Sequence, residues 1–213
     1  MAWIESATVV YLRTLLDRVE PYQQRPLPIF PLFVGTELAR EAATVVMLLS
    51  VAMLAGKKWK SRWGYFMVAF GVWDIFYYVF LKVIVGWPHS LFDWDVLFLI
   101  PLPWWGPVLS PILISIILII GGILVINLDG KSSLFTPTRI SWLICGVGLI
   151  TALYVFMAPA IYDLLGSSRG VNNILPTYFN WPLFATALLL MCAPIIEILV
   201  YRLKPGGGVS KSS

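Results

Sequence analysis

The stretch Gly71–Pro107, GVWDIFYYVFLKVIVGWPHSLFDWDVLFLIPLPWWGP, decides how the rest of the chain is read. It sets Asp74 in the middle of an apolar run. It then supplies the only histidine, His89, followed by Asp93, Asp95 and the tryptophans Trp94, Trp104 and Trp105. A charge at the centre of a hydrocarbon layer costs roughly 2.5–3.5 kcal/mol on insertion scales. Asp74 must therefore be paired, protonated or hydrated, and an ionisable residue in that position is a functional-site candidate.

Working outward, the composition says what solvent this stretch sits in. The chain has 213 residues, 59% hydrophobic and 12% charged, with mean hydropathy +0.85. Soluble domains carry roughly 25% charged residues. So little polar surface cannot face water on all sides, and a bilayer is the natural solvent. The net charge of +4 is no sign of nucleic acid, because the Lys and Arg cluster at helix ends rather than in a basic recognition patch; none is expected as a partner. Cys145 and Cys192 sit in apolar runs as small buried hydrophobes. They form no metal-binding or disulfide pattern.

Five apolar segments are long enough to span: about 32–56, 63–85, 108–128, 140–162 and 181–201, the last interrupted by Pro194. Residues 1 to about 20 carry an apolar stripe at Trp3, Ile4, Ala7, Val10, Tyr11, Leu15 and Val19, with Glu5, Arg13, Asp17, Arg18 and Glu20 off it. This predicts an amphipathic helix lying in the interface or packed on the bundle. The prolines of PYQQRPLPIFP then break it. Gly86–Pro107 is too interrupted for a straight span and reads as an outer loop dipping into the bundle, re-entrant and at most briefly helical. The fold class is an all-α integral membrane protein: a bundle of five transmembrane helices with an N-terminal amphipathic helix and an outer re-entrant loop. Residues 1–31 form the helix and linker, 32–203 the membrane domain, and 204–213 a flexible cytoplasmic tail.

The basic residues orient it. Lys57, Lys58, Lys60 and Arg62 are the densest cluster and mark a cytoplasmic loop. Lys131, Arg139, Arg202, Lys204 and Lys211 fall on the same side, whereas Arg13, Arg18, Arg25, Arg40, Lys82 and Arg169 fall on the other. The reading is a cell (inner) membrane protein, N-terminus outside and C-terminus in the cytoplasm. Trp59, Trp63, Trp87, Trp104, Trp105, Trp142 and Trp181 lie near expected helix ends and suit an interfacial belt.

Candidate site residues converge on the outer half. Glu37, Arg40, Glu41 and Thr44 recur at i, i+3, i+4, i+7 and share one helix face. Asp74, Tyr77 and Tyr78 come from the second span, and His89, Asp93, Trp94 and Asp95 from the loop. Arg40 is expected to bridge Glu37 or Glu41 along its helix and Asp74 across the bundle. In a catalytic reading, Asp74 or Glu41 is the general acid/base, with Arg40, His89 and Tyr78 assisting. Glu37, Tyr77, Asp93, Asp95 and Trp94 then contact a lipophilic substrate. Alternatives are a proton- or ion-coupled transporter of small solutes and a non-catalytic subunit of a larger membrane complex. Partners are the lipid bilayer, a lipophilic ligand, and further copies or membrane subunits. The carboxylates and His89 are chemically adequate for Mg²⁺, Mn²⁺ or a di-iron site. Their spacing specifies none, and Arg40 would repel a cation, so metal and cofactor are left open. Glu197, near Arg202, is expected to be paired or to reach the inner interface. No Walker A, GxSxG, HExxH or dinucleotide fingerprint occurs. The Trp-rich, five-span plan resembles the tryptophan-rich sensory (translocator) proteins in outline. Their motif pattern is absent, so no activity or residue role comes with the resemblance.

Overall fold

The computed structural model describes residues 1–16, 20–22, 31–98, 102–129, 137–166 and 178–203. The elements run α1 (Ala2–Leu15), α2 (Pro31–Ala55), α3 (Trp59–Val85), β1 (Trp94–Phe98), β2 (Trp104–Pro107), α4 (Leu109–Asp129), α5 (Arg139–Gly166), α6 (Trp181–Met191) and α7 (Ala193–Leu203). Most of the Pro-rich linker, Lys131 and the 204–213 tail lie outside the described residues, as does much of the loop before α6.

Among the described residues four helices are long and apolar enough to cross a membrane: Gly35–Ala55, Trp59–Val85, Leu109–Asn127 and Arg139–Tyr162. A fifth span results if α6 and α7, bent by 41°, are taken together. Large apolar side chains such as Leu54, Val83, Leu143 and Ile150 are exposed along them. Such surfaces are stable only against hydrocarbon, so the helices point to a membrane. The sequence places the last interruption at Pro194; the bend falls at Cys192. A proline ring clashes with the carbonyl four residues before it, so the helix gives way just upstream.

α3 and α4 pack closest. A Cβ on Gly71 would lie 2.6 Å from the Ser115 carbonyl, and one on Gly122 2.6 Å from the Gly64 carbonyl. Small residues let membrane helices approach this way. The contact aligns Asp74 with Ser115.

One expectation is corrected. Where the sequence allows a brief helix in the outer loop, Trp94–Phe98 and Trp104–Pro107 pair as the two antiparallel strands of a hairpin, with Trp94 opposite Pro107 and Asp95 opposite Gly106. WDVLF is rich in aromatic and branched residues and alternates sides, which favours strand pairing over a short helix. Gly106 permits the tight fit: a Cβ there would meet Ser110 Oγ at 2.8 Å and the Phe156 ring at 3.0 Å. α1 takes one of the two placements expected of it, packed on the bundle. It packs on α3 with Ala2, Glu5, Ser6 and Val9 buried. Its apolar stripe points away, with Ile4 68%, Tyr11 70% and Leu15 80% exposed. In an apolar solvent the polar face is the one that seeks the interior.

The aromatic residues divide likewise. Trp59, Trp63 and Trp142 are exposed, as a belt requires, but Trp87 and Trp105 are buried. Trp87 packs with Val9, Tyr78, Leu81 and Val108. Trp94 and Trp104 pack against a second cluster that holds Phe156, Phe179 and Phe184.

Candidate functional site

α1, α2, α3, the hairpin, α4 and α5, with Met191 of α6, line an open cavity of about 800 Å³. Its walls combine apolar residues such as Leu118, Leu153 and Phe156 with an unusual number of charged ones. Small-molecule sites typically occupy about 300–1,000 Å³ with a few convergent polar groups.

Eight of the residues expected from sequence line it. α2 contributes Glu37, Arg40 and Glu41, with Thr44 beside them, at the helical spacing that puts them on one face. α3 contributes Asp74, Tyr77 and Tyr78, and β1 contributes Asp95. Three residues fall elsewhere. His89 is exposed, and its Nε2 lies 3.3 Å from Glu20 Oε1. Asp93 Oδ2 accepts the backbone N–H groups of His89 at 2.7 Å and Ser90 at 3.2 Å, closing the turn before β1. Trp94 packs edge-to-face on Phe179 and stacks on Tyr22.

Arg40 pairs along its own helix as expected, but with a different partner across the bundle. Arg40 holds Glu37 through Nη2 at 2.6 Å and Nε at 3.0 Å. Across the bundle it meets Glu5 of α1, not Asp74. Glu5 also accepts from the Thr44 hydroxyl at 3.1 Å. A second pair ties α1 to the hairpin: Arg13 Nη2 donates to Asp95 Oδ1 at 2.7 Å, while its guanidinium lies 4.7 Å over the Trp87 ring. Asp95 also accepts the Val96 N–H at 2.8 Å. Burial pushes the Asp95 carboxyl above the ordinary value, and the Arg13 guanidinium beside it opposes that shift. Asp74 differs from both. It accepts from the Ser115 hydroxyl at 2.8 Å, and no cation pairs with it among the described residues.

Sequence reasoning does not find Glu5, Arg13, Ser115, Trp73 or Trp104, all of which line the cavity. Glu5, Val9, Leu12, Arg13 and Leu16 do recur at helical spacing. Ser115 is the one hydroxyl in ILISIILII. Glu197, expected near Arg202, instead accepts Thr138 N–H at 3.0 Å and the Ser141 hydroxyl, capping α5. Lys82 donates to the Gly86 carbonyl at 2.9 Å and closes the end of α3.

Among the described residues no three His, Cys, Asp or Glu side chains are grouped so as to hold a metal ion. The chain is thus a helical protein with several membrane-compatible spans and buried carboxylates around one cavity. No family model, curated protein or solved structure matches it.

Proposed function

We propose that this chain is a membrane-embedded enzyme that takes a lipophilic molecule into the cavity and uses Asp74 as its general acid/base. The observation that carries this reading is the contrast among the carboxylates. Glu5 and Glu37 are engaged by Arg40, and Asp95 by Arg13. Those pairs fix α1, α2 and the hairpin in place. Asp74 is held by a hydroxyl, which can donate to the carboxylate and accept from the acid. A group so placed can give and take a proton without breaking an ion pair. Tyr77 and Tyr78, on the same helix, stand ready to contact the polar end of a substrate. The orientation that suits the basic loop 57–62 puts the cavity in the outer half of the membrane, open to molecules of the outer leaflet.

The test is native mass spectrometry of the chain released from mild detergent. The expected result is a stoichiometric small-molecule adduct whose mass identifies the substrate or product. Narrowing the cavity with Leu118→Trp should remove the adduct. Asp74→Asn should retain it, keep the helical signal and abolish turnover of the molecule identified. Turnover surviving in Asp74→Asn would sink the assignment, and an adduct indifferent to Leu118→Trp would move the site elsewhere.

A further inference from the structure

Among the described residues four hydroxyls line the cavity: Thr44 on α2, Tyr77 and Tyr78 on α3, and Ser115 on α4. Three of them are each given to a carboxylate. Thr44 donates to Glu5 at 3.1 Å, Ser115 to Asp74 at 2.8 Å, and Tyr78 to Asp95. Each bond joins two different elements, so these hydroxyls serve the fold. Tyr78 is also sealed, at 5% exposure, in the cluster that holds Val9, Leu81 and Trp87.

Tyr77 differs. Among the described residues its hydroxyl has no hydrogen-bond partner. Nor is it sealed. The buried side-chain atoms that lack a partner are Arg13 Nη1, Trp73 Nε1 and Trp104 Nε1, and the Tyr77 hydroxyl is not one of them. A group the size of water therefore reaches it. The side chain is half-buried and lines the cavity. Its hydroxyl lies within electrostatic reach of Arg13, Asp95, Arg40 and Asp74. Those four belong to α1, the hairpin, α2 and α3, and all of them line the cavity. A point close to all four elements lies in the space between them, so the hydroxyl opens on that space.

Charge at this point nearly cancels, with two guanidiniums against two carboxylates. An ion arriving there gains no net counter-charge for the hydration it sheds. An uncharged oxygen sheds less, and the phenol can either donate to it or accept from it. Asp74 stands three residues before Tyr77, on the same face of α3. Resting on the reading of the cavity as a substrate site, we propose that Tyr77 is its specificity-determining residue, and that it binds an uncharged hydroxyl or carbonyl oxygen of a lipophilic molecule. Tyr78, its neighbour in sequence, holds the hairpin to α3 instead.

The experiment sets affinity against stability. The detergent-solubilised chain is titrated with dodecan-2-one, dodecan-1-ol, dodecane, dodecyl phosphate and dodecyltrimethylammonium, and affinity is read from the ligand-dependent rise in melting temperature. The ketone or the alcohol should bind tightest. Tyr77→Phe deletes only the hydroxyl. It should weaken that binding about threefold to tenfold and leave the melting temperature without ligand unchanged. Tyr78→Phe should do the reverse, lowering the melting temperature without ligand by about 2–4 °C and keeping the affinity. Unchanged affinity in Tyr77→Phe, or oxygen-bearing probes that bind no tighter than dodecane, would overturn the inference. Tighter binding of a charged probe would overturn the uncharged end. In each of these cases binding that Leu118→Trp abolishes leaves the cavity reading standing, whereas binding indifferent to Leu118→Trp would overturn both.

Discussion

Arg13→Met should be among the most damaging single changes outside the spans, and its cost should depend on pH. The Asp95 side chain is 1% exposed and that of Arg13 13%. Removing Arg13 leaves a buried carboxylate with no cation, held by the Val96 N–H and the Tyr78 hydroxyl. Breaking a buried pair from one side costs about 3–5 kcal/mol. For a chain of this size that is a fall of roughly 6–20 °C in Tm. Asp95→Asn should cost less, since the remaining guanidinium still lies over Trp87 and an amide oxygen can still accept from Val96. The double variant Arg13→Met/Asp95→Asn should lie well above the sum of the two losses, a coupling of about 1–3 kcal/mol. The pH dependence follows from the direction of the Asp95 shift. Its carboxyl is raised on folding, so the native state binds more protons than the unfolded chain between the ordinary carboxylate value and the native one. Stability from this group therefore falls as pH rises through that window and is level above it. Without Arg13 only the hydrogen bonds from the Val96 N–H and the Tyr78 hydroxyl oppose desolvation, and the window widens upward. Acidification from pH 8 to pH 5 should thus recover part of the loss in Arg13→Met and less in the parent. The readout is thermal unfolding in detergent, followed by labelling of Cys145 and Cys192 with a thiol-reactive dye. Additive losses in the double variant, or a deficit that does not change with pH, would refute the argument that this pair anchors α1.

Gly71→Ala should destabilise by about 1–3 kcal/mol, because the new Cβ would sit 2.6 Å from the Ser115 carbonyl. Gly146→Ala, with nothing within 4 Å of its Cβ, is the control, and equal melting temperatures would show that α3 and α4 do not pack as described. Arg40→Met should loosen α1 from α2, seen as faster backbone hydrogen exchange over residues 2–15 with α4 unchanged; unaltered exchange would mean that the Glu5 contact does not hold the helix. Ser115→Ala should leave Asp74 without its donor and slow turnover of the molecule identified by mass spectrometry while leaving Tm within a few degrees; full activity would remove Ser115 from the proton path.

The spans and the polar stripe were legible because both are written in local periodicity. Glu37, Arg40, Glu41 and Thr44 at helical spacing can only share a face, and a membrane helix turns that face inward. Asp74 with Tyr77 and Tyr78 obeys the same rule. The hairpin was less legible because strand pairing joins residues about ten positions apart, and nothing in WDVLF alone names WWGP as its partner. His89 and Asp93 were drawn in by composition. Their neighbours Pro88 and Ser90 instead make a turn in which the Asp93 carboxylate caps backbone N–H groups at the surface.

The face that α1 buries is not specified by its sequence pattern alone. An apolar stripe beside a charged face is ordinarily resolved by burying the stripe, and in water that is right. Here the exposed surfaces of the other helices are themselves apolar, so a stripe turned outward costs nothing against hydrocarbon. A charged face turned outward would cost several kcal/mol for each charge. The same two residues that make the stripe reading look adverse, Glu5 and Arg13, become the means of attachment, each meeting an opposite charge from another element.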